Sequence, residues 1–246
     1  MQTDEKVIYP GSDLEAMSFA VNYHRWILQV FQPHLGRRVV EVGAGSGSFS
    51  ELLLERERES LSLVEPSEAM FGLLRENMAR PRAAAEIMLY NAVFCAIAPE
   101  IKARQQPDSI IYVNVLEHIA DDQAELAAIS ATLETGGKLF IFVPALRWLY
   151  SRFDESIGHF RRYAKSELEE KCRQAGFNII TSSYFDMLGI APWLVKYRWL
   201  KSLKMEPQAV LAYDKYIVPG ARALETALAP PLGKNIILIA EKVADV

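Results

Sequence analysis

The chain has 246 residues, of which 50% are hydrophobic and 24% charged, a size and balance that suit one large globular domain. Its 27 Lys and Arg against 31 Asp and Glu give a formal charge of −4, which leaves no basic excess for a nucleic-acid surface. Cys95 and Cys172 form neither a metal pattern nor a disulfide framework, the N-terminal MQTDEKVIYPGSD lacks the apolar core of a signal peptide, and no apolar run reaches the length of about 18 residues that a membrane span requires. The expectation is a cytoplasmic protein with buried thiols, no metal and no nucleic-acid partner.

Apolar residues at helical spacing predict a helix over residues 13–31, capped by Ser12 or Asp13. Val39, Val40 and Val42 predict a strand at 38–42, followed by the turn Gly43-Ala44-Gly45-Ser46-Gly47 and a helix to about Arg56. Further strands are predicted at 60–65, 86–93, 108–115, 138–145, 177–185 and 234–243. Between them come helices at 67–79, capped by Ser67, at 121–134, and from a Ser166 cap to Gly176. Alternating strands and helices imply an α/β fold with a parallel sheet and right-handed crossovers. Two stretches break the rhythm, 145–163 and 186–232, and both follow the carboxyl ends of strands, where such sheets bind ligands. The chain therefore reads as a single domain. It comprises an N-terminal helical lid (1–35), a cofactor-binding core (36–185) with a cap loop (145–163), a cap insertion (186–232) and a final strand (233–246).

A strand, a glycine turn and a helix offer backbone N–H groups and a helix N-terminus to a nucleotide-like ligand. The third glycine of a dinucleotide fingerprint would fall at Ser48, and the Walker lysine is missing, so a cofactor without a pyrophosphate fits better. Glu41, two residues before Gly43, suits a cationic group or ordered water. Glu65, 20 residues after Gly45, stands where a carboxylate accepts ribose hydroxyls. Asn91 either meets an adenine edge or starts a turn. In NVLEHI (114–119), Asn114 borders the cofactor and His118 is either a general base or a loop-shaping residue. The stretch 149–168 gathers Tyr150, Asp154, His159, Arg161, Arg162 and Tyr163 beside the expected cleft, and either arginine suits an anionic substrate group. The aromatic and cationic residues of 186–204 read as a lid over a pocket, in preference to a membrane-surface helix.

Glu41-Val42-Gly43-Ala44-Gly45-Ser46-Gly47, Glu65 and Asn114-Val115-Leu116-Glu117-His118 resemble the signature of class I S-adenosylmethionine-dependent methyltransferases. NYHRWI, NVLEHI, GHFRRY and PPLGKNIILIA extend the similarity, over residues 20–243, to one bacterial subgroup, whose members often accompany glycosyltransferases or biosynthetic clusters. The resemblance implies a Rossmann-like, seven-stranded, mostly parallel sheet with helices on both faces and an antiparallel last strand. It further implies that Glu41 and the Gly43, Ala44, Gly45 and Gly47 backbone surround the methionine moiety, and that Glu65 and Pro66 lie at the ribose. Asn91 and Ala92 would meet adenine, and Asn114 with Val115 would lie near the amino-acid end. Asn91 departs from the aspartate common in the family. The implied reaction is methyl transfer from S-adenosylmethionine to a small-molecule or lipid-like acceptor in a biosynthetic pathway. His118 and His159 are the candidate bases, and Tyr23, His24, Tyr150, Arg161, Arg162 and Tyr163 the candidate acceptor contacts. The rival readings are an NAD(P)-dependent reductase and a non-catalytic cofactor-binding protein.

Overall fold

The computed structural model describes residues 20–79 and 85–244. Helix α1 (Val21–Phe31) and a 3-10 turn (Gln32–His34) lead into β1 (Arg38–Val42), α2 (Ser48–Leu53), β2 (Ser60–Val64), α3 (Glu68–Met78) and β3 (Glu86–Tyr90). Next come α4 (Phe94–Gln105), β4 (Ser109–Val113), a 3-10 turn (Leu116–His118), α5 (Asp122–Thr132) and β5 (Lys138–Pro144). A 3-10 turn (Arg147–Leu149), α6 (Arg152–Ser156) and α7 (Lys165–Gln174) precede β6 (Phe177–Phe185). The insertion holds α8 (Ile190–Trp193), a π-helical stretch (Leu194–Trp199), α9 (Pro207–Tyr216) and α10 (Val218–Ala227), and β7 (Asn235–Lys242) closes the fold.

One seven-stranded sheet runs in the order β3-β2-β1-β4-β5-β7-β6. Strands β1 to β5 pair in parallel, and β7 inserts antiparallel between β5 and β6. The period-2 alternation of side chains sorts the apolar strand residues between two cores. Val40, Val42, Ile110, Tyr112, Leu139, Ile141 and Val143 join the core on one face. Val39, Leu61, Leu63, Ile111, Phe140 and Phe142 join the core on the other. Helices cover both faces, which is why the central strands β4 (SIIYV) and β5 (KLFIFVP) are almost wholly apolar.

Several boundaries move for local reasons. The predicted start of the first helix and its cap lie outside the described residues. The N-terminus of α1 is instead satisfied by Asp214 of α9, whose carboxylate accepts the N–H groups of Asn22 (3.1 Å) and Tyr23 (2.8 Å). Strand β4 stops at Val113 because Asn114 takes a positive φ of 53°. Ser166 does not cap α7. The cap position is Ala164, whose N–H donates to the Glu167 carboxylate at 3.3 Å. Helix α4 was absent from the sequence pattern. It carries Pro99 in its interior and buries only the stripe Phe94, Ala98, Ile101 and Gln105. No helix among the described residues is long and apolar enough to cross a membrane.

Gln105 joins α4 to the sheet from a buried position. Its Nε2 donates to Val39 O (3.0 Å) and Ser60 Oγ (2.9 Å), and its Oε1 accepts from Ser62 Oγ (2.6 Å). Gln105→Leu keeps the bulk and strands these partners, at a cost of about 2–4 kcal/mol. The urea midpoint should fall with an unchanged slope. An unchanged midpoint would show that the network is not holding α4 to the sheet.

Candidate active site

The site forms where β1, β2, β4 and β5 end. Gly43, Gly45 and Gly47 take φ values of 72°, 56° and 91°, a left-handed region that other residues adopt only with strain. At Gly43 a side chain is also excluded by space, since a Cβ would stand 2.3 Å from a Val115 methyl. The turn is fixed by Gly43 N–H and Ala44 N–H donating to Val64 O (2.8 and 3.1 Å), and by Gly45 N–H donating to Glu65 Oε2 (2.8 Å). It delivers the chain to the start of α2 at Ser48.

Two carboxylates flank this turn. Glu41 is buried and accepts from Ser50 Oγ at 2.6 Å, and no cation pairs with it among the described residues. Burial pushes its carboxyl up to about 8, against the pull of the Ser50 hydroxyl. Glu65 is also buried, and burial raises it too, opposed by the N–H groups of Ser67 and Gly45. One lone pair on each Glu65 oxygen is engaged, by Ser67 N–H (2.8 Å) and Gly45 N–H (2.8 Å), which leaves acceptor capacity on both.

Two hollows open here, with about 1050 and 1080 Å³ of empty space including their mouths. The first lies between the glycine turn and the insertion. Aromatic and apolar groups line it (Tyr23, Phe49, Phe142, Phe153, Trp193), together with His24, Glu41, Glu117, His159, Arg162, Lys234 and Asn235. The second is a mainly apolar slot made by Val42, Pro66, Ala92, Val93, Phe94, Val115 and Ile119, with Glu65 at its wall. Gly43, Asn114 and His118 line both, so the two hollows meet at these residues.

Next to that junction lies a knot of ionisable groups. Glu117 is fully buried, and among the described residues neither of its carboxylate oxygens has a hydrogen-bond partner. Its carboxyl is raised to about 7 by burial, with His159 and Arg162 pulling the other way. His118 is driven down to about 3 by burial and by the neighbouring His159, so its imidazole is neutral. The rings of His118 and His159 meet edge to face, 4.6 Å between centroids. His159 Nδ1 lies 3.1 Å from Asp154 Oδ1. Asp154 also accepts from Arg162 Nε (2.8 Å) and from the Ser151 amide and hydroxyl (2.9 and 2.8 Å). Burial would raise Asp154, but His159, Arg162 and Ser151 together hold it below the usual carboxylate range.

The structure brings Tyr23, His24, His118, His159 and Arg162 to the cleft and withholds four predicted residues. Asn91 turns its amide to the carbonyls of Glu65 (2.9 Å) and Pro66 (3.3 Å) and lies outside both hollows, so it ties the β2 and β3 loops together. Arg161 is spent on Asp122 (2.8 Å) and the carbonyls of Ile119 and Ala120. Tyr163 is buried, donating to Asp122 Oδ2 at 2.8 Å, and Tyr150 donates to the His159 carbonyl at 2.7 Å. Each of the three has a partner that the local sequence does not reveal. Arg162 lines the cavity, but its charge is neutralised by Asp154 and its guanidinium stacks on Trp193 at 4.5 Å. Sequence reasoning gave no site role to Glu117, Lys234 or Asn235, and Trp193 entered only as one of the aromatic residues of the 186–204 lid. Glu117 had a signal in its place beside His118; Lys234 and Asn235 reach the site from the far end of the chain. Of 186–204, Trp193 lines the cavity and Tyr197 is buried behind it against Phe153, while Trp199 and Leu200 are exposed.

A methyltransferase-domain family model matches residues 18–182. No curated protein matches the chain. Solved structures share the fold at low identity. The methyltransferase in complex with the Trm112 methyltransferase activator of Haloferax volcanii is 14% identical, with a TM-score of 0.61 over 97% of this chain and 99% of that one. A SAM-dependent methyltransferase from Archaeoglobus fulgidus is 16% identical, with a TM-score of 0.58 over 87% and 91%. The [4+2]-cyclase SpnF, at 15% identity and a TM-score of 0.57 over 92% and 82%, has the same fold under a different activity. With the family model covering the glycine turn, both flanking carboxylates and the His118 loop, the chain belongs to the methyltransferase-domain family and is a class I S-adenosylmethionine-dependent methyltransferase.

Proposed function

We propose that the enzyme methylates a small-molecule or lipid-like acceptor held in the aromatic cavity beneath the insertion, in a biosynthetic pathway. The observation that carries this reading is the meeting of two unlike hollows at Gly43, Asn114 and His118. An apolar slot with the Glu65 carboxylate at its wall suits a nucleoside. A wide aromatic cavity with polar groups on its floor suits an organic acceptor of some bulk.

The residues fit the cofactor. Glu41 is a buried acid without a cation, the partner that the ammonium and sulfonium groups of S-adenosylmethionine lack in an apolar site. Glu65 has acceptor capacity for the ribose hydroxyls, and Pro66, Ala92 and Val115 give the adenine ring apolar walls. When bound, S-adenosylmethionine supplies an electrophilic methyl group that requires no acid activation. The protein's own work is alignment: Tyr23, Phe49 and Trp193 confine the acceptor so that its nucleophilic atom stays in line. Water is excluded by the same walls. The polar end of the acceptor is received by Glu117, His118 and His159, the groups that handle its proton if it has one to lose.

Purified protein should show a higher melting temperature with S-adenosylhomocysteine and S-adenosylmethionine, and no shift with NAD(P). A shift with NAD(P) alone would overturn the reading of the glycine turn. A shift with the first two, but no methyl transfer to any of a broad panel of hydroxyl, amine and carboxylate acceptors, would favour a non-catalytic binding protein.

Glu41 gives a pH prediction. Its folded value of about 8 lies above its ordinary 4.5. The unfolded chain therefore ionises first, and this residue costs stability progressively as pH rises from about 4.5 to about 8. Glu41→Gln removes that slope, so the variant's melting temperature relative to the wild type should climb between pH 5 and pH 8. A constant difference would refute the assignment. The same substitution should weaken S-adenosylmethionine binding by about 10- to 100-fold at pH 8, through loss of the countercharge.

A further inference from the structure

We propose that Glu117, His118 and His159 bind a divalent transition-metal ion on the floor of the cavity, and that the ion takes an oxygen ligand from the methyl acceptor. The second half rests on the reading of the cavity as the acceptor site; the first half does not.

No metal was expected from the sequence, because the ligands come from two separate segments. Glu117 and His118 follow β4, and His159 follows α6 in the cap loop. One ligand atom from each lies within 4.8 Å of the others. The Glu117 carboxylate is fully buried, lines the cavity and, among the described residues, has no hydrogen-bond partner on either oxygen. A buried carboxylate left in that state is costly unless something electropositive completes it.

His159 supplies the direction. Asp154 accepts from Arg162 and Ser151 and stands 3.1 Å from His159 Nδ1, so it is an acceptor there and the ring proton sits on Nδ1. The lone pair of Nε2 then faces Glu117 Oε1 at 3.8 Å. That is too long for a hydrogen bond. It is within the separation of about 4.2 Å that two ligands, each ~2.1 Å from one ion, can span. A carboxylate behind a histidine is also the arrangement that orients a ligating imidazole and fixes its tautomer. His118 is held by a hydrogen bond to the Gly158 backbone, with its ring at 81° to that of His159. Closing the 4.8 Å envelope to the ~3.4 Å that separates ligands about 2.1 Å from one tetrahedral ion takes a relative movement of up to about 1.4 Å, shared among three side chains.

Two imidazoles and one carboxylate suit Zn²⁺, Mn²⁺, Fe²⁺ or Co²⁺ better than Mg²⁺ or Ca²⁺, which favour oxygen throughout. Three protein ligands leave coordination positions open, as in sites that receive a substrate. These open positions face the cavity, and the acceptor chemistry they select is a hydroxyl, phenol or carboxylate oxygen. An ion lowers the pKa of a hydroxyl bound to it, so with the ion in place an acceptor O–H would lose its proton to solvent as it enters, and Glu117, His118 and His159 would serve as ligands in place of a base.

The test is a Co²⁺ titration of chelator-treated full-length protein, followed by visible absorption, with the S-adenosylhomocysteine thermal shift measured on the same samples. Wild-type protein should bind a single Co²⁺ with a ligand-field band. Glu117→Gln and His159→Asn should each weaken that binding by at least ~10-fold and keep the thermal shift. Absence of a band in the wild type, or equal affinity in both variants, would overturn the metal site. Should His159→Asn fail to fold, the near-isosteric Glu117→Gln decides alone. Co²⁺ binding that never responds to hydroxyl or carboxylate acceptors in the spectrum would leave the ion in place and overturn its role as their ligand. A wild type that binds Co²⁺ and not S-adenosylhomocysteine would refute the cofactor reading and support the metal site.

Discussion

The site depends on one buried carboxylate. Asp154, fully enclosed in the cap loop, takes hydrogen bonds from the Ser151 amide and hydroxyl, from Arg162 and from His159. Enclosing an ionised acid costs several kcal/mol, and only a full set of donors makes it tolerable. Because every donor is used, the geometry of the loop has little freedom. Arg162 is drawn inward, where it also reaches the Ala145 carbonyl at the end of β5 and stacks on Trp193 of the insertion. One charge pair thus ties the sheet, the cap loop and the insertion together, and presents His159 to the cleft in one orientation.

A second knot fastens the insertion to the sheet. Asp186, buried just after β6, accepts from Tyr23 of α1, Tyr213 of α9 and Gly189, and pairs with Lys234 at 3.0 Å. Lys234 in turn stands against the rings of Tyr23 and Trp193. The wall of the cavity is therefore assembled from α1, the insertion and the start of β7, stretches distant from one another in the chain. Its rigidity comes from charge and hydrogen bonding, since the insertion exposes much of its apolar surface, Trp199, Leu200, Leu203 and Leu228 among it.

These long-range dependencies decide what the sequence could disclose. The strands were legible because each is a short run rich in strand formers, continuous in β4 and β5 and alternating in β2, and the glycine turn was legible because its conformation demands particular residues at fixed spacing. The parallel pairing followed from the alternation of strands and helices, and the antiparallel last strand from family resemblance. Helix α4 escaped because Pro99 interrupts it and its apolar residues carry little period, and α9 and α10 because each begins at or next to a proline in a stretch read as an irregular insertion. Side-chain roles were harder to read. Arg161, Arg162 and Tyr163 look equivalent in GHFRRY, yet Arg161 and Tyr163 serve Asp122, while Arg162 serves Asp154 and alone reaches the cavity. The partner decides the role, and the partner lies elsewhere in the chain.

Compensation separates the buried acids into two kinds. Burial would push all of them up, but Asp122 and Asp154 are brought below their ordinary range by cations and hydroxyls, Lys171, Tyr163 and Arg161 for the first, His159, Arg162 and Ser151 for the second. Glu41 and Glu117 remain raised, one helped only by a serine hydroxyl, the other by a histidine and an arginine that do not hydrogen-bond it. Compensated acids hold the scaffold, and their function is complete in the protein alone. Uncompensated acids lining a cleft are unfavourable in the protein alone and become favourable when a positively charged group enters, which is how a fold stores selectivity for a cationic ligand. Glu41 stands beside the glycine turn and Glu117 beside the histidine pair, and both line the aromatic cavity. The cleft thus offers two separate sites for positive charge, and a methyl cation equivalent has to be passed between the regions they define.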